Sequence, residues 1–275
     1  MKEVLSVVIV GAHPDDCEYA AGAVTICYRR LGHRVTFVSM TNGDAGHHTM
    51  TKEQLGRRRY EETRNVARCL DVEYEVMDIP DGGLEPTLEN RCKLIRILRK
   101  YQPDIIMSHP TDDYHPDHRY TAQLVSDTAF MLNVPLCVPD APVARKDTVY
   151  CCFSTRPQDT AAATILVPAD DYADKKFQAF GQNTSQVYEW LPWIENIKDA
   201  VPADEESRLD FLKKWWGPIW RQPAENYRTK LNLYLGPKAA GRIEYIEAFT
   251  ASPYGCPLTP ANARHYFPFP DTVIF

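Results

Sequence analysis

No window of this 275-residue chain approaches the roughly 18 consecutive apolar residues that a membrane-spanning helix needs. The N-terminal stretch "MKEVLSVVIVGAHPDD" has an apolar run too short for a signal sequence, and it leads straight into charge rather than a small-residue cleavage site. A cytoplasmic location is therefore expected. Excess positive charge is also absent. With 31 Lys and Arg against 37 Asp and Glu, the net charge of -6 argues against nucleic acid or an anionic membrane as partner. CxxC pairs are missing: the eight cysteines are scattered, apart from the adjacent Cys151 and Cys152, so reduced thiols are expected rather than a disulfide framework. There are no internal repeats and no low-complexity segments. Without these features the chain reads as an ordinary globular protein, long enough to bury a sizeable core.

One more absence points toward chemistry. "EVLSVVIVGA" is a continuous apolar run, the pattern of a strand buried on both faces. A nucleotide-binding domain would continue with glycines, but this chain places His13, Pro14, Asp15 and Asp16 there. A phosphate cradle needs close backbone approach and free N–H groups. Two carboxylates at that spot would repel a pyrophosphate and attract a divalent cation.

Over the first 130 or so residues the pattern alternates between two periods. Strands are expected at 3–12, 33–41, 73–80 and 104–109. Helices are expected at 17–32, 51–71, 87–102 and 115–132, with Gly32 as a stop and Thr87 as an N-cap. That order implies an α/β fold of Rossmann-like type, a mostly parallel sheet with helices on both faces. Beyond residue 133 the pattern weakens. Residues 133–147 read as proline-rich loop, 162–168 and 241–251 as further strands, and 170–180 and 205–216 as helices. A single domain over 1–275 is expected, with a core of about 1–133 plus the late strand at about 241–250. Residues 134–240 and 251–275 are then elaborations.

In open parallel sheets, ligands bind at the carboxyl ends of the strands. Three polar clusters fall at such ends: "AHPDDCE", "TNGDAGHH" and "HPTDDYHPDH". An imidazole and a carboxylate from the first, with an imidazole from the last, make a donor set that leaves a coordination position open, as hydrolytic zinc sites require. Side chains of neighbouring loop residues diverge, so one of Asp15 and Asp16 can bind metal while the other serves as general base. His115 and His118 lie three apart where a helix begins and share its face. One can ligate while the other reaches a reacting carbonyl.

"AHPDDCE" paired with "HPDH" resembles the signature of the PIG-L/LmbE family of zinc-dependent N-deacetylases, which act on N-acetylglucosamine-type sugars and their conjugates. The similarity extends to "TNGDAG", to Arg59 and Glu62 on their helix and, more loosely, to "GRIEYIEAF". Residues 133–235 match nothing in that pattern. The resemblance implies that His13, Asp16 and His118 hold one Zn²⁺ per chain, with Fe²⁺ or Mn²⁺ as alternatives. It makes Asp15 the general base and His115 the group that stabilises the oxyanion and protonates the leaving amine. Glu18 would support the site from behind.

The remaining candidates carry an ordinary reading beside a functional one. His109 ends its strand and is expected to pack behind the ligands rather than bind metal. Asp44, Arg59, Asp113 and Tyr114 are expected near the sugar, although Asp44 also suits a turn and the Arg59–Glu62 spacing suits a surface ion pair. His47 and His48, in a glycine loop, are divided between substrate and solvent. Tyr188, Trp190 and Trp193 read as packing, with a stacking platform as the alternative. Cys17 reads as packed inward rather than ligating, and His33 as exposed. The implied activity is hydrolysis of a linear amide, releasing the acetyl group of an N-acetylated amino sugar. Its rivals are an amidase on another conjugate and a carbohydrate-binding protein without turnover. A homo-oligomer is compatible with the sequence.

Overall fold

The computed structural model describes residues 4–144, 147–154 and 163–274. Strands β1 (Ser6–Gly11), β2 (Arg34–Ser39), β3 (Glu73–Val76), β4 (Ile105–Ser108), β5 (Val149–Phe153), β6 (Ile165–Pro168), β7 (Ile246–Gly255) and β8 (Val273–Ile274) form one sheet. Its order is β3-β2-β1-β4-β5-β7-β6-β8. The first five strands in that order pair in parallel, and the pairs made by β7 and β8 are antiparallel. The Rossmann-like, mostly parallel sheet expected from the alternating periods is what the chain forms.

Val7, Val8, Ile9 and Val10 are all fully buried. Successive side chains of a strand point to opposite faces, so both faces of β1 must be covered. Val7 and Ile9 pack with Ala21, Val24 and Tyr28 of helix α1 (Asp16–Arg30). Val8 and Val10 pack with Leu94 and Leu98 of α3 (Leu88–Tyr101) and Leu124 of α4 (Pro116–Met131). Helix α2 (Lys52–Leu70) completes the crossovers and starts with a capping box between Thr51 and Gln54. The chain runs from β1 outward to β3, then returns to place β4 on the other side of β1. The strand order therefore reverses between β1 and β4, the point where parallel sheets open a crevice at their carboxyl ends.

The second half departs from expectation in two ways. β5 lies within "TVYCCF", a short apolar run next to the proline-rich loop that carries too little periodicity to identify. β7 is displaced toward the C-terminus relative to the 241–251 expectation because it pairs with β5 and β6 at once. Its Glu247 is buried. Helix α1 is broken at Ala21 (φ -140, ψ 23), and the Glu247 carboxylate accepts the Ala23 and Val24 N–H groups, each at 2.8 Å. Lys176 of α5 (Ala173–Phe180) pairs with the same carboxylate at 2.8 Å. The late strand thus caps the second half of α1.

Arg99 organises the proline-rich loop after α4. It is fully buried, and its guanidinium donates to the carbonyls of Met131, Leu132, Val134, Val138 and Ala141 at 2.7–3.1 Å. Replacing it removes five hydrogen bonds from a charged donor, although the Met131, Leu132, Val134 and Val138 carbonyls each keep one backbone N–H. Arg99→Met should cost about 3–5 kcal/mol of stability, read as a lowered denaturant midpoint. A loss below about 1 kcal/mol would mean that water reaches these carbonyls.

Candidate metal centre and active-site cleft

The loop after β1 folds tightly over its own strand. A Cβ on Gly11 would stand 2.7 Å from the Asp16 Cβ, so only glycine permits the turn. Asp15 follows with φ 155 and ψ -23, a conformation rarely populated by residues with a side chain. The two aspartates consequently diverge. Asp16 Oδ2 accepts the N–H groups of Ala12 and His13 at 2.9 and 2.7 Å, while Asp15 Oδ2 lies 3.0 Å from Arg59 Nη2. Arg59 also donates to the Pro14 carbonyl. Gly43 (φ +68) makes room for this, since a Cβ there would lie 2.8 Å from Arg59 Nε.

The resemblance-implied ligand set comes together. His13 Nδ1 is 3.4 Å from Asp16 Oδ2, His118 Nε2 is 3.5 Å from Asp16 Oδ1, and the two imidazole nitrogens are 3.3 Å apart. Donors set about 2.0–2.2 Å from a tetrahedral ion stand about 3.4 Å from one another, the spacing the two imidazoles keep from each other and from the Asp16 carboxylate, each facing a different one of its oxygens. Each imidazole turns its other nitrogen to a carboxylate. His118 Nδ1 is 3.0 Å from Asp113 Oδ1, and His13 Nε2 is 3.2 and 3.3 Å from Asp81 Oδ1 and Asp117 Oδ2. Such partners fix ring orientation and tautomer in metal sites.

The electrostatics also call for a cation. Burial opposes a charged His13, yet contacts with Asp117, Asp16 and Asp81 raise its pKa well above the ordinary imidazole value. For His118 burial is likewise overcome, by Asp16 and Asp113. Burial would raise Asp16, but His118 and His109 hold it well below the usual carboxylate range. Five carboxylates, Asp15, Asp16, Asp81, Asp113 and Asp117, crowd a site whose cavity is lined by one guanidinium and no lysine among the described residues.

His115 is the N-cap of α4, its Nδ1 accepting the Asp117 N–H at 3.2 Å. That bond assigns the proton of the neutral ring to Nε2. Burial and the nearby His13 and His118 lower the pKa of His115, favouring this neutral donor form. His109 Nε2 lies 3.2 Å from Asp16 Oδ2, and its ring stacks on His118 at 4.0 Å. Glu18 is fully buried and accepts from Asn183 Nδ2 at 2.6 Å; burial pushes its carboxyl up to about 8. The Cys17 thiol points into the sheet, toward the Ile9 and Val38 carbonyls.

Arg59, Asp113 and Tyr114 line the cleft, as expected, while other residues sit otherwise than the sequence suggested. Arg59 pairs with Asp15, not Glu62, and is only 2% exposed, because Glu62 turns to Thr184 and Ser185. The Asp44 carboxylate accepts the Asp81 N–H at 3.0 Å, in keeping with its turn-forming alternative. Asp113 lines the cleft, but one of its oxygens is engaged by His118. Tyr114 stands at the rim, 76% exposed. His47 docks on Glu189, 3.0 Å from its Oε2, and His48 stacks on Trp193. His33 is buried rather than exposed, its Nδ1 accepting the Leu5 N–H.

The site opens into a cleft of about 660 Å³. Its far wall comes from the region without a recognisable pattern. A π-helical turn (Gln186–Trp190) runs into the short helix α6 (Leu191–Ile194), and Trp190, Leu191 and Ile194 line the cleft with Trp216 of α7 (Glu205–Asn226). Trp190 stacks on Trp193, and Tyr188 is buried away from solvent. π-turns are rare and often mark functional sites. Arg58 holds this one by a two-armed contact to Glu189 at 2.9 and 2.5 Å. Asp81, Asp117, Tyr19 and Trp216 were not singled out from the sequence. Asp117 lies inside "HPDH" and Asp81 at the carboxyl end of β3, which were the available signals.

Residues 8–129 match the PIG-L family, described as GlcNAc-PI de-N-acetylase. A diacetylchitobiose deacetylase of Thermococcus kodakarensis is 30% identical over 207 residues, 71% of this chain and 77% of that protein. A 4-oxalmesaconate hydratase of Pseudomonas putida is 22% identical over 67% of this chain and 75% of its own length. Among solved structures, an N,N'-diacetylchitobiose deacetylase from Pyrococcus horikoshii superposes with a TM-score of 0.72 at 23% identity. It covers 92% of this chain and 85% of its own, which establishes a shared fold.

Proposed function

The chain belongs to the PIG-L family, and from that premise we propose that it is a metal-dependent hydrolase removing the acetyl group from an N-acetylglucosamine-type sugar or conjugate. The observation that supports this reading is that His13 Nδ1 and His118 Nε2 lie 3.3 Å apart and face the Asp16 carboxylate, one toward each of its oxygens, at 3.4 and 3.5 Å. Asp15 and His115 flank them in the same cleft. A divalent ion held by those three donors, zinc first and Fe²⁺ or Mn²⁺ as alternatives, would supply Lewis acidity toward water and the acetamide carbonyl.

The chain's own groups do the rest. Asp15 accepts a proton from the attacking water. Burial pushes its carboxyl above the usual range against the pull of Arg59, which makes it a stronger base than an ordinary aspartate. His115 Nε2–H donates to the developing oxyanion and keeps its proton, and the proton that Asp15 took from water passes to the departing amine, which returns Asp15 to its carboxylate form. Asp81, Asp117 and Asp113 keep the ligating imidazoles oriented. The products are acetate and a free amino sugar.

The test is acetate release from a panel of N-acetylated sugars and thiol conjugates, with and without chelator. We expect release from the sugars, its loss with chelator, and its return with Zn²⁺. No acetate from any sugar, metal present, would overturn the reading. The hydratase relative motivates the rival of water addition to an unsaturated carboxylate. A substrate with several carboxylates needs cationic side chains beyond the metal, and the only guanidinium among the described residues lining the cleft already faces Asp15. That favours an uncharged amide.

His115→Ala should keep its metal and roughly its substrate affinity, while turnover falls by about 10²–10³-fold, the usual loss for one oxyanion donor. Metal content and steady-state kinetics on one preparation check this. An unchanged kcat would remove His115 from the chemistry.

A further inference from the structure

The far wall of the cleft is a short segment, and polar contacts to α2 fasten it. Val187 and Tyr188 of the π-helical turn pack into the core with Phe177 and Leu212. Glu189, the next residue, leaves that core and takes both arms of Arg58, while His47 Nε2 stands 3.0 Å from its Oε2. Just before the turn, Glu62 of α2 accepts from the Thr184 hydroxyl and from the N–H and hydroxyl of Ser185, at 2.7–2.8 Å. Arg58 joins the two fastenings. Its Nε is 3.3 Å from Glu62 Oε1 and its Nη2 is 3.1 Å from Thr184 Oγ1.

The residue after Glu189 is Trp190, which lines the cleft. Its ring stacks on Trp193 at 5.3 Å and 16°, and Trp193 stacks in turn on His48 at 4.9 Å. A Cβ on Gly46 would lie 3.2 Å from the Trp190 Nε1, so a glycine lets the loop after β2 close on the indole. The neighbour of Arg58 on α2, Arg59, reaches Asp15 and the Pro14 carbonyl. Consecutive residues of one helix thus tie down the general base and the far wall, and α2 sets the distance between them.

We propose that Arg58 is a positioning residue and that Trp190 is the specificity-determining contact it positions. Through Glu189, Arg58 fixes the indole against which an uncharged pyranose ring of the substrate lies. This rests on the deacetylase reading above, and it adds how the sugar is selected. An indole offers an apolar surface to the C–H groups of a sugar. The one guanidinium lining the cleft among the described residues is engaged by Asp15, so the contact selects for shape rather than charge. Arg58 itself does not line the cleft. Its loss is therefore felt in substrate binding and not in the chemical step.

The probe is N,N'-diacetylchitobiose, offered to the metal-loaded full-length protein. Acetate release gives kcat and KM, and calorimetry gives Kd if no acetate forms. Trp190→Ala and Arg58→Met should each raise KM by about three- to tenfold with kcat and metal per chain unchanged, the pattern of lost uniform binding. Glu189→Gln, the mildest change, should move KM in the same direction. In the double variant Arg58→Met/Trp190→Ala the two effects should not multiply, because Arg58 acts through the indole. An unchanged KM in Arg58→Met and Glu189→Gln overturns the proposal. So does a fall in kcat with KM unchanged, or a double variant that shows the full product of the single effects. If no acetate forms but Kd weakens in the same pattern, the deacetylase reading fails and the positioning role stands. Neither turnover nor binding would overturn the proposal as well.

Discussion

Asp15→Asn should keep the metal and lose turnover by about 10²–10⁴-fold, the range for removing a positioned general base. The amide preserves the shape of the carboxylate but cannot take a proton from water. Three features localise the effect. Asp15 faces Arg59 at 3.0 Å, whereas Asp16 faces the imidazoles, so the ligand set is untouched. The φ of 155 at this position is tolerated by Asn about as readily as by Asp. Arg59, buried with Nε and Nη1 unpartnered, keeps the Pro14 carbonyl and the new amide oxygen as acceptors. Metal per chain, kcat and the thermal midpoint should be measured together. Near-normal turnover would sink the assignment. Loss of metal would instead mean that Asp15 ligates.

The parts of this centre that were legible in the sequence are those where chemistry and topology coincide. A buried strand that ends in His-Pro-Asp-Asp where glycines would hold a phosphate already points to a cation. "HPDH" after the fourth strand supplies the partner because β1 and β4 are neighbours in the sheet. The loop after β3 went unread because Asp81 stands alone there, and its value appears only when His13 turns Nε2 toward it. The surface ion pair suggested for Arg59 by its spacing from Glu62 fails for a similar reason, although Arg59 does line the cleft. Spacing on a helix identifies Glu62 as a neighbour but cannot show that Glu62 prefers Ser185, 123 residues away. The aromatic wall was hardest to read. Helical spacing of Trp190, Trp193, Trp216 and Trp220 does not say which face meets a cleft and which meets a core.

His13→Ala and His118→Ala should each lose metal and, with it, detectable turnover, because three protein donors leave none to spare. The reading competes with a specific alternative. Asp16, His109 and His118 bring donor atoms within 4.8 Å of one another, as do His13, His115 and His118. Ring geometry separates His109 from His13 as the second imidazole ligand. The His109 ring lies nearly flat on His118, 4.0 Å away at 22°, so the nitrogens of the two rings point along parallel planes and do not converge. The His13 ring is tilted 52° to His118, with its Nδ1 3.3 Å from His118 Nε2. His13 also has carboxylates behind its other nitrogen, whereas His109 Nδ1 is 4.0 Å from Asp113. Asp113→Asn, which loosens His118 without removing a ligand, should weaken metal affinity by about 10–100-fold. Elemental analysis of the alanine variants and a metal-buffer titration of Asp113→Asn provide the readouts. A metal-loaded His13→Ala beside a metal-free His109→Ala would move the centre to the stacked pair. A metal-free His115→Ala beside a loaded His118→Ala would exchange the two histidines of "HPDH", and His115 could then no longer be the donor to the oxyanion.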